Sequence, residues 1–432
     1  MHDVVVVGAG IAGLAAAWAL RDRDVVVLEA SERIGGRIRS ERRGPYWLNF
    51  GAHVFAGAGT STDHLLRETG VSAVDVPGIL TGVSLDGQLV AGGRVETYPL
   101  RLPLSVRDRV ALARVGLRLR LNVARYDRIL RSHDQERILA YGGDRTFADW
   151  LGAVPPRVDA IVRSTIQRSS GDPEELAAGY GIGYFHLVWD RSGGLARNIL
   201  GGPATLPEAI GAELGARIRL NSPVEEVRPD GHGIRVAYSG GELSARFAVV
   251  ATPAHVTRAV VSGLPEDVRA ALGEVVYGPY VLAAFITNES GATPWDGIYA
   301  VATARRSFNM LFNMANVLRG DRRDPGGSLM VYSGASLARQ LWDVDDAGVL
   351  ETYLSDLDAV LPGARRLVGE TVVHRWEHGL PYVRPHRHRV QRALERPLGN
   401  VLLAGDYLGT RYTDTAIHTG LQAAARIKDL TR

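Results

Sequence analysis

The stretch DVVVVGAGIAGLAAAWALRDRDVVVLEASERIGGR, Asp3 to Arg37, decides the fold. Val4 to Val7 form a continuous β-branched run, as expected of a strand buried on both faces of a parallel sheet. Gly8, Gly10 and Gly13 follow at once. The first glycine permits a tight turn, the second lets backbone approach a pyrophosphate, and the third lets the next helix pack close to the strand. Ala12 to Leu20 reads as that helix, whose N-terminal amides and dipole favour phosphate charge. Val25 to Leu28 is the second strand, and Glu29 ends it where a carboxylate accepts hydrogen bonds from ribose hydroxyls. A glycine triplet alone arises by chance in turns. The strand before it, the helix after it and the acid about 20 residues on make dinucleotide binding the expectation. NAD and FAD both fit.

At 432 residues the chain is too long for one core, and two or three domains are expected. Its 46% hydrophobic and 22% charged residues are those of an ordinary globular protein. No stretch of about 18 apolar residues suggests a spanning helix, and no basic leader precedes the first strand. The chain has no cysteine, which excludes disulfides, thiolate metal sites, a cysteine nucleophile and a cysteinyl link to a flavin. We expect a cytoplasmic setting and no metal. A net charge of +3 is too small to argue for nucleic acid. Lys428 is the only lysine, so no mechanism here rests on an internal lysine.

Outward from Arg37, WLNFGAHVFAGAGT (47–60) reads as a glycine loop able to lie against a flat ligand, with His53 inside it. His64 to Thr69 resumes as helix. ILTGVSLDGQLVAGGRVETYPL (79–100) has short alternating strands with Asp86-Gly87 as a hairpin turn. The chain has there left the nucleotide domain. SVRDRVALARVGLRLRLNVARYDRIL (105–130) reads as a long helix with Val106, Val110, Ala113, Leu117, Leu121 and Ala124 on one face and arginines over much of the rest. A solvated outer helix is favoured over peripheral membrane contact. Residues 146–197 read as mostly helical. Their aromatics Tyr180, Tyr184, Phe185 and Trp189, with Phe308 and Phe312 further on, are candidates for an apolar pocket.

From Gly201 the first pattern returns: GGPATLPEAIGAEL as a turn entering a helix, a strand carrying Val224, and a hairpin ending in the buried strand 247–251. YVLAAFIT (280–287) and a helix over 347–360 read as a return to the other domain. Val401 to Ala404 is a last buried strand, with Asp406 at its carboxyl-end turn, where ligands of such sheets bind. A helix then spans 415–427. The expected division is 1–78, 201–264 and 385–432 for a nucleotide domain, and 79–200 and 265–384 for a substrate domain.

The two terminal clusters together resemble the FAD-dependent family of monoamine oxidases, protoporphyrinogen oxidases and phytoene desaturases. GAGIAGL with LEASERIGGR, then GGPATL and VVATP, then AGDY with TDTAIHTG carry the resemblance. It covers the nucleotide-binding segments well and the middle of the chain poorly. It implies an α/β fold with a discontinuous Rossmann-like FAD-binding domain of the GR2 type and an α+β substrate-binding domain. It also implies non-covalent FAD. Gly8, Gly10, Ala12 and Gly13 then flank the pyrophosphate, and Glu29 and Ala30 hold the adenosine ribose. Gly35, Gly36 and Arg37 extend towards the flavin with Gly51 and Ala52, and Val224 meets the adenine through its backbone beside Ala251. Gly405 and Asp406 bond the ribityl chain. Thr415, Ala416 and Ile417 face the pyrimidine edge of the flavin, where a helix N-terminus stabilises charge at N1 on reduction.

By the same resemblance LPYV and RYTD put Tyr382 and Tyr412 where amine oxidases carry two aromatic rings before the flavin. Trp376, in RWEHGLP, is closer to the protoporphyrinogen oxidase and desaturase branches. The chain departs from amine oxidases in lacking an internal lysine to hold a water near flavin N5. The expected reaction is hydride transfer from a C–H bond, of an amine or a carbocycle, to flavin N5. The substrate is an apolar or aromatic small molecule met in biosynthesis. His53 or His378 takes the second proton where a double bond forms, and oxygen or another acceptor reoxidises the flavin. GAHVF and the YPL segment are also similar to UDP-galactopyranose mutases, so a non-redox flavin enzyme is the alternative.

Overall fold

The computed structural model describes residues 1–76, 82–189, 196–231, 233–319 and 323–431. The first strand, His2–Val7, lies between Val25–Leu28 and Gly241–Val250, parallel to both, and Gly241–Val250 is also parallel to Val401–Leu403. Ile218–Arg219 extends one edge in parallel; Gly233–Tyr238 and Val224–Asp230 extend the other as an antiparallel hairpin. Strands from three distant stretches thus make one seven-stranded sheet. Val4 to Val7 are buried on both faces, which the unbroken valine run requires.

Helices Ile11–Ala19 and Tyr412–Leu430 pack on one face of this sheet through a core of alanines, Leu14 and Ile417. Two glycines set that packing. A Cβ at Gly13 would lie 2.0 Å from the Gly8 carbonyl oxygen, and one at Gly420 would lie 2.1 Å from the Ala12 carbonyl oxygen. Neither position accepts a side chain.

A second seven-stranded sheet runs Val368–Tyr382, Val276–Thr287, Gly327–Gly334, Met310–Asn313, Ala300–Thr303, Gly82–Leu85, Gln88–Val90. Side chains alternate across its faces. Val281, Ala283, Phe285 and Val331 pack under the helix Asp346–Val360, whereas Leu282, Ala284, Phe312, Met330 and Tyr332 pack on Trp47, Leu48 and Phe50. The second face is therefore turned towards the first sheet's ligand end.

Several elements depart from the reading of the sequence. Residues 46–49 are strand, pairing with Ser40–Arg43, and Phe55–Ala56 pairs with Ala196–Ile199, so the expected glycine loop is tied down at both ends. The hairpin Gly82–Leu85/Gln88–Val90 forms as expected, but residues 79–81 lie outside the described residues. Beyond Ala91 the alternation fails. Gly92 and Gly93 adopt positive φ, and the chain enters a turn at Val95–Thr97 and a helix at Tyr98–Arg101.

The long helix spans Val106–Leu130, but its buried face is Val115, Leu119, Val123 and Tyr126. The expected face is the exposed one: Val106 is 76%, Leu117 62% and Leu121 57% accessible, and Val110, Ala113 and Ala124 are exposed too. This helix carries two apolar stripes. The one that includes Tyr126 is buried because Gly183 leaves room for that ring, a Cβ there falling 2.8 Å from Cζ. Among the described residues no helix is long and apolar enough to cross a membrane.

Candidate active site

The glycine turn after the first strand is open where a ligand would lie. Gly8 has φ +98° and a Cβ there would meet the Ala251 carbonyl oxygen at 3.0 Å, so backbone closes this side. A Cβ at Gly10 meets nothing within 4 Å. Gly10 caps helix Ile11–Ala19 without a side-chain hydrogen bond, and no acid stands in the first turn, so the amides there are unopposed. Glu29 reaches across the turn: its carboxylate accepts from the Ala9 amide at 2.7 Å and from the Ser31 amide and hydroxyl at 2.9 and 2.7 Å. Gly35 donates to the Ala9 carbonyl at 2.8 Å, and Gly36, at φ +57°, packs on Gly10. Ala30 is exposed beside Glu29, and Val224 begins the outer strand, paired with Tyr238.

Arg37 joins three remote stretches. Its guanidinium donates to the Gly379 carbonyl at 3.1 Å and to Asp406 Oδ1 at 2.9 Å. Its own carbonyl accepts from Ala52 at 3.1 Å, and a Cβ on Gly51 would lie 2.0 Å from that oxygen. Gly405 donates to Thr419 Oγ1 at 3.0 Å, which seats the strand-end turn on the C-terminal helix. That helix starts at Tyr412 and not at Thr415. Thr415 caps its first turn by accepting from the Arg411 amide at 2.8 Å, with Ala416 and Ile417 buried behind. The sequence therefore brings together most of the residues it nominates for a cofactor.

The nominated catalytic residues are more scattered. Tyr412 packs its ring at 5.4 Å from Tyr184 and 6.4 Å from Tyr180, which touch each other at 5.4 Å. Burial holds all three phenols well above their usual range, so they are neutral. Tyr382 sits instead against Gly171, with Glu175 and Arg339 near it, and no ring contact joins it to Tyr412 among the described residues. Trp376 donates its indole N–H at hydrogen-bond distance to the Phe50 carbonyl and meets His374 at 4.5 Å. It braces the 47–52 backbone. His378 stacks on His255 at 4.2 Å. Phe312 does reach the site, 4.4 Å from His53, but Phe308 is fully buried against Tyr353 under the second sheet. The alternation that turns Phe312 inwards belongs to strand Met310–Asn313, and Phe308 precedes it.

His53 is buried, its Nδ1 lies 3.1 Å from the Gly51 carbonyl oxygen, and its Nε2 has no partner. Burial first, and the Arg168 charge next among the lowering influences, bring it down to about 4. It is a neutral acceptor near neutrality and a poor store for a proton, contrary to the role expected of it. The unfolded chain takes up that proton near pH 6.5 and the folded chain near 4. The His53 contribution to stability is complete above about pH 6.5 and is lost as pH falls towards 4. Between pH 7 and 5 the loss in unfolding free energy is expected to be about 2 kcal/mol smaller in His53→Asn than in the unmodified protein. Urea titrations at both pH values measure it, and equal losses in the two proteins would sink the account.

Sequence reasoning missed Arg168, which lies between Tyr184, Tyr332 and Tyr412 and lines a cavity of about 350 Å³. The cavity reaches from there to the helix Val106–Leu130, past Phe185, Trp189, Ile161 and Met310. Among 49 arginines nothing local singles this one out. Among the described residues no cluster of metal-ligating side chains occurs.

Residues 11–428 match the family described as flavin containing amine oxidoreductase. The chain belongs to this family. Over 290 residues the flavin amine oxidoreductase chain is 25% identical to an L-amino acid dehydrogenase of Synechocystis, covering 61% of this chain and 58% of that protein. It is 25% identical over 282 residues to a flavin-containing amine oxidase of Oncorhynchus mykiss, covering 58% and 50%. The chain thus spans between half and three-fifths of the length of these relatives. Cyclohexylamine oxidase from Brevibacterium oxydans superposes over 100% of both chains with a TM-score of 0.81 at 21% identity, which speaks for the fold. The expected fold class and the flavin are borne out, and the mutase-like alternative is not favoured.

The residues present fit an FAD. The open face of Gly10, the uncapped helix amides and the Glu29 carboxylate make a dinucleotide cradle, and the unpartnered His53 Nε2 leaves an acceptor free beyond Gly51.

Proposed function

We propose that this chain oxidises an amine at the carbon that bears nitrogen, a reaction for which FAD would be the electron acceptor. The observation that carries the reading is the cavity of about 350 Å³ lined by Arg168, a residue that lies between Tyr184, Tyr332 and Tyr412, in a member of the amine oxidoreductase family. Bound FAD supplies two-electron oxidation. Gly8, Gly10, Gly13, Glu29 and the Ile11–Ala19 amides hold its adenosine and pyrophosphate, Arg37 and Asp406 its ribityl region, and Thr415 to Ile417 the pyrimidine edge.

The rest is done by the cavity. Its apolar walls exclude water and favour the uncharged amine, whose lone pair must be free for the C–H bond to be broken. The neutral Tyr412 and Tyr184 rings align the substrate carbon. Two electrons and two protons leave the substrate, giving an imine that water hydrolyses, and oxygen or another acceptor takes the electrons on. The five-segment division of the chain and a cytoplasmic setting belong to this reading; membrane contact does not.

Anaerobic mixing of the FAD-loaded protein with a panel of primary amines tests it. Bleaching of the flavin band by one or more is the expected result, and a flavin that no amine bleaches would overturn the proposal. Tyr412→Ala is expected to slow that bleaching at least about tenfold with FAD still bound. An unchanged rate would remove the tyrosine from the site.

A further inference from the structure

Arg168 is the buried cation that the preceding account leaves without a task. It sits in the short turn Gln167–Ser169 that ends helix Pro156–Ile166. The turn is pinned on both sides. The Gln167 side chain donates to Asp172 at 2.7 Å and to Ser336 at 3.0 Å and accepts from Asn309 at 2.7 Å, and the Arg168 carbonyl accepts from the Tyr280 hydroxyl. The guanidinium is thereby aimed into the cavity from a fixed backbone.

Its surroundings are neutral. The Tyr184 ring lies 6.0 Å from its Cζ, the Tyr332 hydroxyl is its polar neighbour, and its Nε has no partner. No carboxylate pairs with it among the described residues. Asp172, four residues on, accepts from Gln167, from the Ser336 amide and hydroxyl, and faces Arg339 at 3.7 Å. Tyr332, Tyr184 and Tyr412 are all held above their ordinary range by burial, so none supplies a negative charge. A guanidinium stays charged at any working pH, and an uncompensated one in an apolar setting is costly. Much of the cavity wall, including Leu112, Ile161, Phe185, Trp189 and Met310, is apolar, and its carboxylate, Glu96, is paired with Arg120 at 3.0 Å.

We infer that Arg168 is the anchor for a carboxylate of the substrate, so that the amine oxidised here belongs to a molecule of amino-acid type, with an apolar body lying along the cavity. The planar fork of guanidinium donors matches a carboxylate, and that carboxylate completes an ion pair that none of the described residues makes with Arg168. The inference rests on the amine-oxidising reading for the chemistry but not for the binding site itself.

The test is a titration of the FAD-loaded protein with benzoate and, separately, with its neutral isostere benzamide, read by perturbation of the visible flavin spectrum and by calorimetry. Benzoate is expected to bind at least tenfold more tightly than benzamide. In Arg168→Met the benzoate affinity is expected to fall about 30-fold or more, as for removal of one partner of a buried charged pair, with benzamide changed less than threefold. Arg168→Lys is expected to recover part of the loss. Equal binding of the two probes by the unmodified protein would overturn the inference, even where Arg168→Met does not fold, and so would unchanged benzoate binding in a folded Arg168→Met or Arg168→Lys. The two readings fail separately. Bleaching by amines without preference for benzoate sinks the carboxylate anchor alone, whereas preference for benzoate in a protein that no amine bleaches keeps the anchor and sinks amine oxidation.

Discussion

Gly420→Ala is expected to lower stability by about 2 kcal/mol or more and to weaken FAD binding at least tenfold, although the same exchange in an ordinary helix stabilises by up to about 1 kcal/mol. The sign is decided by one atom. A Cβ at Gly420 would lie 2.1 Å from the Ala12 carbonyl oxygen and 3.2 Å from the Ala16 amide nitrogen, and both are backbone that no rotamer change can move. The helices Ile11–Ala19 and Tyr412–Leu430 must then separate. Their N-terminal turns are the two helix ends offered to the cofactor, one to its pyrophosphate and the other to its pyrimidine edge. Separation therefore reaches the ligand as well as the core. Gly116→Ala is the control: it lies in the helix Val106–Leu130, its Cβ would meet nothing within 4 Å, and it is expected to gain about 0.5–1 kcal/mol. Thermal unfolding of both variants, with flavin retained after gel filtration, measures the contrast. A stabilised Gly420→Ala would show that the two helices do not need their close approach.

What the sequence disclosed and what it hid follow from how local each requirement is. The Gly8, Gly10, Gly13 and Glu29 set was legible because each residue answers to a neighbour within about 20 positions: a turn, an open face, a close helix, an acid one strand away. Gly36 and Arg37 needed the family resemblance, since the partners of Arg37 are Gly379 and Asp406 at the other end of the chain. The helix Val106–Leu130 was legible as a helix but not as a face. Periodicity finds both apolar stripes, and the choice between them is made by Tyr126 and the space left at Gly183, which no periodicity records. The motifs suggested Tyr382 and Tyr412 as a pair, but Tyr412 lies against Tyr184 and Tyr180, while the Tyr382 ring turns to Gly171. Arg168 was hidden most completely. Its significance is that tyrosines, and no acid among the described residues, pair with it in space, and a sequence displays neighbours along the chain only.

Arg37→Met is expected to lower stability by about 2–3 kcal/mol and to abolish retention of FAD through gel filtration. The loss has two parts with different signatures. Asp406 is 8% exposed, and with Arg37 removed its carboxylate keeps no cationic partner among the described residues while the Gly379 carbonyl loses a donor. That penalty belongs to the protein whether or not a ligand is present. The double variant Arg37→Met/Asp406→Asn replaces the buried charge by an amide and is expected to recover most of the stability. It is not expected to recover the cofactor, because the charge-assisted contacts proposed for the ribityl region are then gone from both sides. The pair is partly shielded from water, so its contribution is expected to change little between 50 and 500 mM salt, unlike the exposed ion pairs elsewhere on the molecule. Denaturant midpoints and FAD dissociation constants for the single and double variants separate the two roles. A double variant that regains FAD would reduce Arg37 and Asp406 to a structural clasp between the two ends of the chain; one that regains stability alone would mark the clasp as part of the binding site.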